Sequence, residues 1–143
     1  MTEAGNYPPS HAGINREVSP SMTNVHMIVG SLVVLAFIVS LVLNLRTATG
    51  KPTLSFQRPL SMAAAGLFLI QILLGFSLLG EGKDIPAAHF LLALLAIFPI
   101  GAEHMLTGRE TDSRRAGRVA AIANAVTLVL VLIAYIIGET NGS

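Results

Sequence analysis

The sequence predicts an all-α protein, an integral membrane bundle of four antiparallel helices. Two observations indicate this fold class. Hydrophobic residues make up 52% of the chain and charged residues only 12%, about half the charged share of an average soluble domain. The apolar residues also concentrate in four segments of about 20 residues, the length a helix needs to cross a hydrocarbon core of about 30 Å. A helix satisfies its own backbone hydrogen bonds, as a lipid-exposed segment must.

The first element is a polar, proline-containing tail, residues 1–23, which we expect to be flexible and to lie outside the cell. It lacks the basic start of a signal peptide. A transmembrane domain, residues 24–138, follows, and residues 139–143 form a short second tail. The four predicted spans are Val25 to Leu45, Pro59 to Leu79, Pro86 to Leu106 and Val119 to Ile137.

The connections predict both topology and orientation. Short links such as residues 80–85, "GEGKDI", make sequential helices antiparallel neighbours. The first and third connections carry seven Lys and Arg residues, whereas the tail and the second connection carry two. Because positive residues favour the cytoplasmic side, we expect both termini outside and a bacterial or archaeal cell membrane as the location.

Composition excludes several function classes. A net charge of +1 argues against a nucleic-acid partner. The absence of cysteine excludes disulfides, thiolate metal sites, iron–sulfur clusters and covalent heme attachment. We find no nucleophile–base pattern, no phosphate-binding glycine loop and no zinc-type ligand spacing, so no catalytic residue is predicted.

Two histidines stand out because ionisable side chains are costly inside a membrane. His26 and His89 lie near the starts of the first and third spans, which run in the same direction. They therefore lie at similar depth near the outer face. Two imidazoles on facing helices can bind both axial positions of one heme iron. The sequence thus predicts one heme b per chain, with His26 and His89 as ligands; another metal, a proton-transfer role or simple contact with interfacial water are the alternatives.

Two glycines accompany the histidine pair. Gly30 lies one helical turn from His26 on the same face, and Gly75 on the second span falls at a similar depth. Without side chains they let a flat macrocycle approach the helices. Small residues also allow close helix packing, which is the other interpretation. We include both glycines in the predicted cofactor site.

The remaining histidine of the spans, His104, lies about 22 Å of helix rise beyond His89, towards the cytoplasmic end. At that depth the first span offers Leu41 and Asn44 rather than a second histidine. We therefore expect His104, beside Glu103, to lie at a solvated helix end and not to bind heme.

Other residues carry smaller predictions. Gln71 is expected to form an interhelical hydrogen bond, the alternative being contact with a quinone or the heme edge. Pro99 predicts a kink in the third span. Lys83 in the outer turn is either a partner for a heme propionate or a solvated loop charge.

A helix that opens with histidine, a helix carrying "LIQILLG", a short turn and a helix opening "HFLLAL" together resemble the four-helix unit of the heme A synthase family. The resemblance covers roughly Val25 to Ile97, about half the chain. It implies that His26 and His89 match the family's heme-ligating histidines, and that Gln71 with Gly75 matches its helix–turn signature. The family's glutamate, one turn before the first histidine, is replaced here by Met22 or Thr23, and the second bundle of the duplicated members is missing.

The leading functional hypothesis is a small membrane-bound b-type cytochrome. It would transfer electrons as a subunit of a respiratory or photosynthetic complex or as a homodimer, with the lipid bilayer around it and a quinone as a further candidate partner. The alternatives are a half-length heme-modifying enzyme like the heme A synthases, and a structural accessory subunit without a cofactor. A copper or quinone carrier is a weaker fourth option.

Overall fold

The computed structural model describes residues 21–141, which form helices and no strands. The predicted tail therefore falls, up to residue 20, outside the described residues, as do residues 142–143. The helices are α1 (Met22–Ala48), α2 (Gln57–Gly80), α3 (Ala87–Leu95), α4 (Ile97–Thr107) and α5 (Ser113–Asn141).

Helices α3 and α4 are two halves of one span, residues 87–107, so residues 21–141 contain four spans. Each is long and apolar enough to cross a membrane, with lengths of 27, 24, 21 and 28 residues. This confirms the predicted all-helical class with four long apolar helices. The insertion of these helices in a membrane stays a prediction.

Capping residues set the helix starts, which hydropathy alone does not locate. The Ser21 hydroxyl accepts the backbone N–H of Asn24 at 3.2 Å, so α1 begins at Met22. The Asp112 carboxylate accepts the N–H of Arg114 at 2.9 Å, and α5 begins at Ser113, six residues before the predicted apolar span. Both caps satisfy N–H groups that have no partner inside the helix.

The third span is broken at Ala96, three residues before Pro99. Proline lacks an N–H, so the carbonyl of Leu95 loses its intrahelical donor, and the proline ring crowds the same carbonyl. The break lies where the sequence predicts a kink. It separates the half of the span that carries His89 from the half that carries Glu103.

Helix α1 packs against α2 and α5, and α5 packs against α3 and α4. The start of α1 meets the end of α2, where His26 contacts Gln71, and the end of α1 meets the start of α2, where Thr47 contacts Gln57. These contacts show that the two helices run in opposite directions. The core at the middle of the bundle contains Val33, Phe37, Phe68, Ala96, Ile100 and Val131.

Helix α2 does not pack closely against the third span, and we call the gap between them the seam. Side chains bridge the seam at two places. The rings of Phe76 and Phe90 meet edge to face with centroids 4.8 Å apart, and the Ser61 hydroxyl donates to Glu103 at 2.6 Å. A bundle with this loose side has room for two cavities, one at each end.

Candidate functional site

The larger cavity, which we call the histidine cavity, has a volume of about 700 Å³ and is lined by all four spans. It contains both predicted ligands, His26 and His89, whose ring centroids lie 6.2 Å apart with the planes inclined by 54°. Pockets that bind small molecules and cofactors have volumes of about 300–1,000 Å³. The structure thus brings together the two residues that the sequence singles out.

His89 is fixed by a backbone carbonyl of α5. Its Nδ1 lies 2.7 Å from the oxygen of Ala134. A carbonyl oxygen only accepts, so Nδ1 carries the proton and Nε2 keeps its lone pair. A hydrogen bond of this kind is the usual way in which a protein orients a metal-binding imidazole.

Gly138 makes the His89 contact possible. A Cβ at position 138 would lie 2.9 Å from both Nδ1 and Cε1 of the His89 ring. Gly138 follows Ala134 by four residues, so the missing side chain leaves the carbonyl open on that face of α5. The sequence analysis did not identify Gly138. The four-residue spacing from Ala134 could indicate its role only if α5 were already known to pack against the helix that carries His89.

His26 is held from α2. The Gln71 amide nitrogen lies 3.1 Å from His26 Nε2. An amide nitrogen only donates, so Nε2 accepts and the imidazole proton lies on Nδ1. The expected interhelical hydrogen bond of Gln71 is therefore present. The bond leaves two buried atoms without a partner, His26 Nδ1 and Gln71 Oε1.

Both predicted glycines are buried and line the histidine cavity. A Cβ at Gly30 would lie 2.9 Å from the Gln71 amide nitrogen, so Gly30 makes room for the side chain that holds His26. A Cβ at Gly75 would lie 3.5 Å from His26 Cε1, an ordinary contact. Gly30 thus positions Gln71, while the approach of a macrocycle to either glycine stays a prediction.

The separation of the two rings is close to the one that a shared iron would require. A metal lies about 2 Å from an imidazole nitrogen, and that nitrogen lies about 1.2 Å from its ring centre, so two imidazoles on opposite sides of one metal would have centroids about 6.4 Å apart. The observed separation is 6.2 Å. The Nε2 lone pair of His89 is available, whereas that of His26 accepts from Gln71. Buried polar atoms without partners accompany the pair, as in a site built around a further group.

The described residues offer few ligands for a bare metal ion. Within residues 21–141 there is no group of three or more His, Cys, Asp or Glu side chains that could hold one. Two histidines alone leave a bare ion short of protein ligands. A porphyrin supplies four nitrogens itself and needs the protein only at the axial positions.

The mouth of the histidine cavity is polar and of mixed charge. Lys83, Asp84 and Glu139 line it, so the cation expected to meet a heme propionate stands beside two carboxylates. The Tyr135 hydroxyl lies 3.3 Å from that of Ser31 and ties α5 to α1 at this end. Pairing of Lys83 with a propionate stays a prediction.

The opposite end of the bundle contains a buried carboxylate beside His104. Glu103 is only 4% exposed. Its two carboxylate oxygens accept from the Ser61 hydroxyl at 2.6 Å and from the Asn124 amide at 2.7 Å. These donors come from α2 and α5. His104 is half-buried at the same end, away from the histidine pair.

A second group of buried polar side chains adjoins Glu103. The Thr47 hydroxyl donates to Gln57 Oε1 at 3.2 Å, and Gln57 Nε2 donates to Asn44 Oδ1 at 2.7 Å. Asn44 is 5% exposed and its Nδ2 has no partner. These residues line a cavity of about 490 Å³, which we call the carboxylate cavity. Sequence reasoning did not identify it.

Comparison with known proteins does not assign the chain to a family. No protein-family model, curated protein or solved structure matches the chain.

Proposed function

We propose that the chain is an integral membrane b-type cytochrome that binds one heme b through His26 and His89. One observation carries the proposal. Two imidazoles from different helices face one cavity of about 700 Å³ with centroids 6.2 Å apart, close to the separation that a shared iron requires.

The protein's own groups prepare these ligands. The Ala134 carbonyl holds the proton of His89 on Nδ1 and keeps Nε2 available. Gln71 donates to His26 Nε2, the nitrogen that a metal would take, so Gln71 must release His26 when the heme binds. A bound heme would supply the exchange of one electron at its iron. The residues described here fix where the heme lies and how far water is excluded from it.

The surroundings favour electron transfer over independent catalysis. The sequence offers no nucleophile–base pair, and much of the outer surface of the spans consists of large apolar side chains. Such a surface suits lipid or other membrane subunits. We therefore propose an antiparallel bundle in a bacterial or archaeal cell membrane, with both termini outside. It would work in a respiratory or photosynthetic complex or as a homodimer.

The test is the heme content of the purified protein and of three histidine variants. We expect a reduced-minus-oxidised spectrum of the low-spin b type and about one heme per chain in the wild type. His26→Ala and His89→Ala should lose the heme. His104→Ala, a histidine of the same span as His89 but at the opposite end, should keep it.

A variant that loses heme by misfolding is distinguished by adding imidazole. Free imidazole can occupy the space left by the truncated ring and restore binding only if the rest of the site is intact. A full heme complement in either His26→Ala or His89→Ala contradicts the assigned pair. A wild-type protein that takes up no heme after reconstitution contradicts the proposal and favours the structural accessory subunit.

One observation favours the alternative that the chain is a heme-modifying enzyme. Asp84 and Glu139 line the histidine cavity, so it contains carboxylates although none lies one helical turn before His26. If the chain modifies heme as the heme A synthases do, hemes extracted after co-expression should include a species absent from control cells. Heme b alone argues against this alternative.

A further inference from the structure

The carboxylate cavity combines a large volume, buried polar groups and an apolar wall, and the proposed heme site uses none of them. Its volume is about 490 Å³, and side chains of all four spans line it. Buried polar groups of α1, α2 and α4 line one part, among them Asn44, Gln57 and Glu103. Apolar residues of α2 line another part, namely Met62, Ala65 and Leu69. The cavity therefore suits a molecule with a polar edge and an apolar body.

Glu103 is the unusual group of this cavity. Among residues 21–141, no Lys, Arg or His nitrogen lies within 4.0 Å of its carboxylate. Two neutral donors, on Ser61 and Asn124, occupy one position on each oxygen. A carboxylate has about four acceptor positions, so Glu103 can accept from a further group. His104, which lines the same cavity, interacts with Glu103 electrostatically beyond that distance. A buried ionisable residue inside a span indicates function.

Asn44 provides the complementary group. Its Oδ1 accepts from Gln57, whereas its Nδ2 is buried and has no partner. A buried donor left without an acceptor costs about 1–3 kcal/mol, so its presence in a native structure needs an explanation. The cavity thus combines a spare donor with a spare acceptor.

We propose that the carboxylate cavity binds the head group of a quinone or quinol. A quinone carbonyl accepts from Asn44 Nδ2, and a quinol hydroxyl donates to Glu103. The ring is neutral and apolar, as the α2 wall requires. A phosphate-bearing lipid head group would instead bring an anion against Glu103, although Arg58 and His104 also line the cavity. Binding does not require heme in the histidine cavity, so its failure leaves the proposed cytochrome intact.

Gly66 offers a variant that fills the cavity without disturbing the bundle. It lines the carboxylate cavity, and a Cβ there would meet nothing within 4 Å. Gly101 is the matched control, because a Cβ there also meets nothing within 4 Å and the residue lines neither cavity. Gly66→Leu should obstruct the site, while Gly101→Leu should not.

The experiment is photolabelling of the full-length protein in lipid nanodiscs with a short-chain azidoquinone, followed by mapping of the labelled peptides. We expect label on residues 57–66 or 103–120, removed by excess unlabelled quinone. Gly66→Leu and Glu103→Gln should lower the labelling about tenfold, the effect of losing one hydrogen bond to a charged group or an equivalent contact. Gly101→Leu and Glu110→Gln, a carboxylate of the connection after α4, should label like the wild type.

A thermal unfolding midpoint of the Gly66→Leu variant close to that of the wild type shows that its bundle is folded. The proposal is overturned if the Gly66→Leu and Glu103→Gln variants label as strongly as the wild type. It is also overturned if the label maps to residues of the histidine cavity, or if unlabelled quinone does not compete.

Discussion

At the histidine cavity, each imidazole is held by a single hydrogen bond, whereas at the carboxylate cavity the polar side chains bond mostly to one another. His89 is tied to a backbone carbonyl and His26 to a single amide. Glu103 and Gln57, in contrast, are each bound to two side chains of other helices. The first arrangement suits a group that enters and binds to the rings. The second stabilises the packing of the helices and leaves Asn44 Nδ2 and part of the Glu103 carboxylate for a ligand.

Substitutions of two glycines of α5, one at each cavity, should give the largest effects and test whether the two ends differ in this way. In Gly138→Ala, the new methyl group would lie 2.9 Å from the His89 ring, so the ring must leave the Ala134 carbonyl. We expect heme affinity to fall about tenfold or more, because a ligand that has lost its orienting bond binds metal more weakly. Heme titration of the purified variant measures this.

Gly117→Ala is the counterpart at the other end. Its Cβ would lie 2.7 Å from the backbone nitrogen of Ala48, so α1 and α5 must separate. We expect a loss of about 1–3 kcal/mol in the free energy of unfolding, with heme affinity unchanged. Equal losses of heme in both variants would show that the two ends are not independent.

Asn124→Leu tests the network at the carboxylate cavity. The substitution removes the donor to Glu103 Oε2, and we expect a loss of about 1–3 kcal/mol in the free energy of unfolding. The control is Thr127→Val on the same helix. Thr127 is equally buried, but its hydroxyl bonds only the Ala123 carbonyl of its own helix, so a smaller loss is expected. Chemical denaturation in detergent compares them, and a larger loss in Thr127→Val would contradict the importance of the network.

Gln71→Leu should give the smallest change in heme affinity, and it tests whether His26 Nε2 is the nitrogen that binds the heme. Removing the amide frees His26 Nε2 at the loss of one interhelical hydrogen bond, worth about 0.6 kcal/mol in membrane proteins. We expect heme affinity to rise about threefold, the equivalent of that energy. A fall in affinity would show instead that Gln71 contacts the bound heme.

The sequence was sufficient for the features that depend on one helix at a time. Hydropathy located the four spans, Pro99 located the break, and the position of His26 and His89 near the starts of two parallel helices predicted that they would meet. The partners of these residues could not be predicted in the same way. Ala134 contributes a backbone carbonyl and Gly138 contributes the space of a missing side chain. Neither property can be detected from hydropathy or from a sequence motif.

Glu103 shows most clearly what a hydropathy pattern does not predict. Its sequence position, beside a histidine and a basic connection, is typical of a solvated helix end. Its burial depends on Ser61 and Asn124, which are 42 and 21 residues away in the chain. Donors at such separations depend on how the helices are rotated about their axes, and a hydropathy pattern does not determine that rotation.

The seam has a consequence for how the proposed cytochrome would be assembled. Three sides of the bundle are closed by helix packing, while the fourth is bridged beside the histidine cavity by the edge-to-face pair of Phe76 and Phe90. A pair of aromatic rings is worth about 0.5–1.5 kcal/mol beyond its buried area, far less than the packing of a whole helix. In the proposed cytochrome, the helices would therefore insert and assemble first, and the heme would enter sideways from the lipid afterwards. Heme insertion would then be a late step that separates one pair of rings and leaves the assembled bundle in place.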